Sequence, residues 1–538
     1  MAYPSFEQYN NAFQAHQQLL ADPELQQGTI AKSGMGTPLA ISGGFALTYT
    51  IKSGSKKYAV RCFHRESKAL ERRYQAISKR LGQLRSPYFL DFEFQPKGIK
   101  VDGSAYPVVK MAWAQGVTLG EYLEDNHGHK GALSNLPASL LALSKFLEAG
   151  RVAHGDIQTG NMMVAGASGA IQLIDYDGMF VEDIRDLGSA ELGHVNFQHP
   201  DRKARNPFGP TMDRFSLIAL SVALKALHED PTLWQKTNSE MDAILFRAND
   251  YLDPASSLVF AEIKNNPSLA ANAQHFAAVC KAPIDKIPSL EDFLAGRDIP
   301  IIAIQISSTS LKFDKPKLAY LGVYHVLAAT SYAACLACVG DKVEVVGRIV
   351  EVKQDKARNG KPYIFINFGP WQGMIFKVSI WSEGLAAISK KPDASWVGKW
   401  VSVIGLMEPP YVNRRYRYSH LSINVTTIGQ MTAITEEEAK FRLASTNSVK
   451  GVPAVLSNRD TLDKIKGRAS SVPSAGTSPQ VTSSPNQSVL NNIRKVQGTT
   501  QSSSQQGYQR KAQSASSSYS QKPPKKGIIG KLFDWFFG

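Results

Sequence analysis

The chain has 538 residues, 43% of them hydrophobic, and a formal net charge of +15. That length calls for two or more domains, each able to bury its own core. Four cysteines (Cys62, Cys280, Cys335, Cys338) are too few for a disulfide scaffold and suggest a reducing compartment. The start at Met1 is polar and lacks the basic, apolar and small-residue pattern of a secretory signal, so a cytoplasmic location is expected. Charge is unevenly spread: residues 446–526 carry 12 basic and 2 acidic side chains, and residues 341–420 carry 13 and 7. The remainder is nearly neutral, so an anionic partner would meet the C-terminal half.

Residues 5–27 read as one polar amphipathic helix, with Phe6, Tyr9, Phe13, His16 and Leu20 on a single stripe. Residues 41–49 (ISGGFALTY) and 57–63 (KYAVRCF) read as strands around a Lys/Ser/Gly turn. A helix is expected over 67–84, strand-like runs over 87–109, and a second helix over 133–149. That helix leads into HGDIQTGN, an apolar strand and QLIDYDG, residues 154–178. Asp156 stands five residues before Asn161, and Asp175 follows fourteen residues later. A phosphoryl-transfer site needs this chemistry. One carboxylate accepts the proton of the attacking hydroxyl, while an amide and a second carboxylate hold the Mg²⁺ ions that neutralise a triphosphate.

These residues resemble the protein-kinase-like superfamily. His154–Asp156 match its catalytic-loop His-x-Asp, Asn161 its Asn, and Asp175-Tyr176-Asp177-Gly178 its Asp-Phe-Gly with one residue inserted. Gly155 is more similar to the aminoglycoside-phosphotransferase branch, and Gln158 stands where many Ser/Thr kinases carry Lys. The resemblance implies ATP and Mg as cofactors, Asp156 as base, and Asn161 and Asp175 as metal ligands. It also implies that Gly43 and Gly44 bring backbone N–H groups to the phosphates, with Phe45 capping the loop. Arg61 falls at the family's strand Lys and would touch phosphate as a bulkier, planar cation, with Glu71 as its helix partner. Residues 108–113 (VVKMAW) resemble the segment entering a hinge, and GVTLGEYL the helix start after it. Residues 193–200 resemble the end of an activation segment, and Asp213 the buried carboxylate that steadies the catalytic loop. Asp177 reads as a turn carboxylate, and His194 and His199 as structural.

Residues 318–339 lack Lys, Arg, Asp and Glu, but a strand followed by a short helix capped near Ser331 is expected rather than a membrane span. The lone CxxC, Cys335 to Cys338, reads as small apolar helix residues, since two thiols cannot close a zinc site. From Lys342 the pattern alternates. KVEVVGRIVEV, YIFINF, IFKVSIW, KWVSVIGLM and YSHLSINV are five strands, with a short helix over 383–389. This order resembles an OB-fold barrel, with Gly347 and Gly405 suiting the bulges or bends that closing it requires. Its loops would present Lys353, Lys356, Arg358 and Lys361, then Arg414, Arg415 and Arg417 interleaved with Tyr411, Tyr416 and Tyr418; Phe368 and Trp371 would extend the platform. Cations follow phosphates and rings stack on unpaired bases, so single-stranded DNA or RNA is the expected ligand.

Residues 446–526 are rich in Ser, Gln, Thr, Gly and Pro and are expected to be a disordered linker; their serines, 502–504 and 516–518 among them, are candidate substrates in cis. The end, 527–538 (GIIGKLFDWFFG), suits docking into a partner protein or lying peripherally on an anionic membrane surface. The expected fold class is therefore α+β multidomain. An N-terminal helix (1–29) precedes a bilobal protein-kinase-like domain (30–300) and a connector (301–340). A five-stranded OB-like β-barrel (341–430) and the tail follow. The expected activity is transfer of phosphate to Ser/Thr of a protein substrate or of the chain itself. The alternative is a weak or inactive pseudokinase scaffold.

Overall fold

The computed structural model describes residues 3–32, 36–42, 46–64, 69–166, 169–307, 319–357, 360–388, 390–413 and 417–447. Expectations for Gly43, Gly44, Phe45 and the tail beyond residue 447 lie outside the described residues. Among those described, the fold is mixed α/β with several sheets, none closed into a barrel.

The single helix expected over 5–27 is instead three short ones, Phe6–Gln14, His16–Leu19 and Pro23–Gln26. Ser5 and Gln8 form a capping box at the first, and the Asp22 side chain caps the third, where Pro23 fits only a first turn. Breaking the helix leaves the stripe inward but lets it follow a sheet. Tyr9, Phe13 and Leu20 join Tyr49, Ile51 and Val60 in one core, whereas Phe6 is exposed.

That sheet is antiparallel. Strands Ala46–Ser53, Lys56–Phe63, Ser104–Ala112 and Phe92–Val101 lie in this order, and Thr29–Ile30 and Ala40–Ser42 both pair with the first. Helix Leu70–Leu84 covers it, with Tyr74 packed beside Phe63, Phe92 and Phe94. The largest core gathers helices Leu136–Ala149, Arg214–Glu229, Leu258–Asn265 and Ala270–Lys281. Helix Arg214–Glu229 is apolar nearly all round and therefore central. A three-stranded sheet of Val117–Thr118, Met162–Ala165 and Ala170–Leu173 packs against helices Leu119–Asn126 and Leu136–Ala149. The ends of its last two strands set the spacing between Asn161 and Asp175.

The C-terminal strands form two sheets. One runs Val326–Ala328, Lys342–Arg348, Trp400–Leu406, Met431–Ile434; the other runs Glu351–Lys356, Pro362–Asn367, Met374–Ile380, Tyr418–Asn424, Tyr411–Asn413. The expected first strand thus breaks at Ile349-Val350 and serves both. The closed five-stranded barrel does not form, because the edges that would meet are already paired. Trp400–Leu406 takes Met431–Ile434, and Tyr418–Asn424 takes Tyr411–Asn413. Gly347 and Gly405 are not bulges, since both keep regular register. A Cβ on Gly347 would lie 2.4 Å from the Ala329 methyl, and one on Gly405 2.4 Å from Ile423 Cγ2, so each permits close sheet packing. Phe368 is buried against Phe376 in this core and offers no platform.

Strand Val326–Ala328 and helix Tyr332–Ala337 occupy the run that lacks Lys, Arg, Asp and Glu, and no described helix is long and apolar enough to cross a membrane. The cysteine pair lies in and just after that helix. A final helix, Glu436–Asn447, packs its Arg442 inward.

Candidate functional site

The loop after Val152 is fixed by its backbone. Asp213, at the start of helix Arg214–Glu229, accepts hydrogen bonds from the His154 amide (2.5 Å) and the Gly155 amide (2.8 Å). Gly155 has φ +81° and a Cβ there would come 2.3 Å from the Gly178 carbonyl oxygen, which explains glycine in the HGD motif. The His154 ring contacts the Ile174 carbonyl oxygen at 2.9 Å, tying this loop to the strand end that presents Asp175.

Three donors orient the Asp156 carboxylate. Oδ1 accepts from the His194 amide at 2.7 Å, while Oδ2 accepts from Asn161 Nδ2 at 2.9 Å and from Gln158 Nε2 at 2.7 Å. Asn161 also reaches the Asp156 carbonyl at 3.0 Å and accepts from the Ile174 amide at its own carbonyl, 3.0 Å. Asp156 and Asn161 are thus hydrogen-bonded to each other, and the Asn161 carbonyl is tied to the residue before Asp175. His194 bears on the site through its backbone, and His199 caps a local turn by accepting from the Asp201 amide.

Asp175 sits at φ +63°, in a region that non-glycine residues occupy at a cost. Its Oδ1 receives Arg61 Nη1 at 2.7 Å, and Arg61 Nη2 pairs with Asp177, which also accepts from the Tyr74 hydroxyl. Glu71, the expected partner of Arg61, is instead exposed in the first turn of its helix, and Tyr74 one turn later points inward. Asp177 is therefore no mere turn carboxylate: it is 8% exposed and holds one arm of the guanidinium. Burial pushes Asp177 up to about 6, against the pull of Arg61. Burial would also raise Asp175, but the charge and hydrogen bond of Arg61 outweigh it and hold that carboxyl below its ordinary range. Two carboxylates share one cation, and Arg61 Nε is buried with no hydrogen-bond partner among the described residues. The sequence signal for this exchange was the absence of a clear helix carboxylate together with the extra acid at 177.

Among the described residues no group of three or more His, Cys, Asp or Glu side chains is placed to hold a metal ion. The amide oxygen of Asn161 and the carboxylate of Asp175, 44% exposed at its side chain, are nonetheless hard oxygen donors of the type Mg²⁺ takes.

Of the expected nucleic-acid contacts, Lys356 and Arg417 are exposed, while Arg358, Arg414, Arg415 and Tyr416 lie outside the described residues. The structure adds a face that the strand pattern held unread. Ile364, Ile366, Val378, Leu421 and Ile423 fill the core, so their neighbours Tyr363, Phe365, Lys377, Tyr418 and His420 project from the other side of the five-stranded sheet. Phe365 packs with Tyr363 (centroids 4.4 Å apart) and Trp381, and Lys377 Nζ lies 3.8 Å from its ring centroid. At the far end Tyr418 stacks on His420 at 4.3 Å, with Trp371 and the exposed Tyr411 beside it.

No family model matches the chain, and no curated protein matches it. Among solved structures, the kinase PK-1 of Cydia pomonella granulovirus is similar at 11% identity and a TM-score of 0.28, over 38% of this chain and 72% of that one.

Proposed function

We propose that the chain is a Mg-ATP-dependent phosphotransferase of protein-kinase-like architecture, acting on Ser or Thr hydroxyls of a protein, itself included. The observation that carries this reading is the Asp156 carboxylate, oriented by three donors beside the Asn161 amide, with Asp175 on the adjoining strand end. The incoming hydroxyl attacks the γ-phosphorus as the bond to the ADP oxygen breaks, and its proton passes to Asp156. A carboxylate has about four lone-pair sites, so three hydrogen bonds leave room for that proton. Asn161 and Asp175 would hold magnesium, which supplies charge neutralisation on the triphosphate. Arg61 would turn from Asp175 to a phosphate, whose oxygens suit a bidentate guanidinium. Gly43 and Gly44 would offer backbone N–H groups.

The Arg61–Asp175 pair favours a second reading, a scaffold that binds nucleotide or protein without chemistry because its metal-binding carboxylate is already neutralised. Transfer of labelled γ-phosphate from Mg-ATP separates the two. Label incorporated by the wild type and lost in Asp156→Ala and Asp175→Ala supports the enzyme. Absence of label with ATP still stabilising the fold supports the scaffold.

The C-terminal sheets are proposed to be OB-like and to bind single-stranded DNA or RNA. Supporting this are the neighbour order of strands 351–356, 362–367, 374–380 and 418–424 with its last pairing parallel, and the aromatic face with Lys377 at its centre. Base stacking on such rings is worth about 1–3 kcal/mol per base. Single strands should therefore bind better than heparin at physiological salt, and Phe365→Ala or Tyr418→Ala should weaken them about fivefold or more. Equal binding of heparin defeats the assignment.

A further inference from the structure

Three consecutive residues, Glu240, Met241 and Asp242, touch both the C-terminal sheets and the loop that carries Asp156. Glu240 Oε1 accepts from Arg247 Nη2 at 2.8 Å and from Arg442 Nη2. Arg442, on helix Glu436–Asn447, is 3% exposed at its side chain and also holds Glu344 at 3.0 Å and Glu438 at 2.8 Å. Glu344, on strand Lys342–Arg348, is itself buried and accepts from Ser402 Oγ at 2.8 Å and Tyr320 at 3.3 Å.

The next two residues face the catalytic loop. The Met241 carbonyl accepts from the Thr159 hydroxyl, two residues before Asn161. Its side chain is so close to the C-terminal part that a Cβ on Gly429 would lie 2.8 Å from Sδ. The Asp242 carboxylate lies 3.7 Å from His194 Nε2, and its carbonyl accepts from Asn196 Nδ2 at 3.2 Å. The His194 amide is the donor that holds Asp156 Oδ1. There is no slack beside it, since a Cβ on Gly193 would lie 2.9 Å from the Gly155 carbonyl oxygen.

We infer that the C-terminal sheets and their last helix are a working part of the phosphoryl-transfer site, with Arg442 a positioning residue that fixes Asp156 through Glu240–Met241–Asp242 and His194. This rests on the phosphotransferase reading for its catalytic arm and on geometry alone for its structural arm. Two separate contacts, one through Thr159 and one through His194, leave the same three-residue segment, so loosening the segment loosens both ends of the loop from Asp156 to Asn161. Lys342 is the first residue of Glu344's strand, and its Nζ lies 4.9 Å from the Tyr324 ring centroid.

The test uses the full chain as wild type, Arg442→Met, Arg442→Lys and Asp242→Asn. Amide hydrogen exchange is read over residues 154–161 and 193–198, with 56–63 as internal control, beside γ-phosphate transfer from Mg-ATP. Arg442→Met is expected to speed exchange in both windows about tenfold, leave 56–63 unchanged, and lower kcat about tenfold with little change in KM for ATP. Arg442→Lys should restore part of both. Unaltered exchange and kcat in a folded Arg442→Met overturn the inference. If Arg442→Met does not fold, Asp242→Asn decides, because it removes the negative charge facing His194 and leaves the backbone hydrogen bonds of Met241 and Asp242 in place: faster exchange over 193–198 supports the coupling and no change overturns it. A wild type without transfer defeats the phosphotransferase reading, while the exchange comparison still settles the coupling.

Discussion

Replacing Arg61 by Met keeps a long apolar stem in the sheet and removes the one cation that Asp175 and Asp177 share. The two arms are unequal. Asp177 is 7% exposed at its side chain, so losing its counter-charge falls in the range of a broken buried pair, about 3–5 kcal/mol. The Tyr74 hydrogen bond survives and brings that toward about 3 kcal/mol. Asp175 is 44% exposed, and water screens its loss to less than about 1 kcal/mol. A double-mutant cycle isolates the buried arm. Arg61→Met should cost about 3–4 kcal/mol and Asp177→Asn about 1–2, while the double variant should cost less than their sum by about 2 kcal/mol. The chain is not a two-state unit, so stability should be read from urea-dependent hydrogen exchange of peptides in strands Lys56–Phe63 and Ser104–Ala112. Additive costs within about 0.5 kcal/mol, or an Arg61→Met cost below about 1, would refute the view that Asp177 holds the guanidinium.

Asp213→Ala strands two buried amides, and at about 1–3 kcal/mol each this should cost about 2–6 kcal/mol around the HGD loop and abolish transfer, read by calorimetry and label incorporation. Gly347→Ala drives a methyl into Ala329 and Phe368 and should lower the stability of the C-terminal sheets by about 1–3 kcal/mol in urea unfolding. Burial, helped by Lys353, pushes Lys377 down to about 8, so single-strand affinity should fall between pH 7 and 9 beyond the general charge effect, and Lys377→Met should lack that extra fall in a filter-binding titration. The sign for stability is opposite. Between about 8 and the ordinary lysine value of 10.5 only the unfolded chain keeps the proton, so this sheet gains stability as pH rises there.

Much of the site was legible because its residues are close in sequence and locally constrained. The HGD loop, the amide five residues on and the acid after an apolar strand all depend on short spacings, and Asp213 could be placed by the apolar helix it precedes. Side-chain direction was not legible in the same way. Glu71 and Tyr74 lie one turn apart on one helix, and only packing against Phe63 and Phe92 selects the tyrosine for the interior. Asp177 looked like a turn residue because its partner, Arg61, is 116 positions away. In the C-terminal part alternation found the five main strands, but alternation carries no information about which edges pair. Strands Tyr411–Asn413 and Met431–Ile434, which leave the ring open, are short and half-exposed. Helix Glu436–Asn447 begins with three glutamates and reads as solvated, yet its Arg442 is buried.

The burial of Arg442 also bears on how this protein can be taken apart or reshuffled. A chain cut at residue 430, where the alternating pattern ends, would leave Glu240 and Glu344 buried on opposite sides of a seam with their shared cation gone. The longer piece would then keep Glu344 buried without Arg442, with Glu240 left to Arg247 alone, and recombination at that point would yield an impaired fragment rather than two modules. The functional boundary of the folded chain therefore lies beyond Arg442. Inheritance of the two parts as a pair is the expected evolutionary consequence.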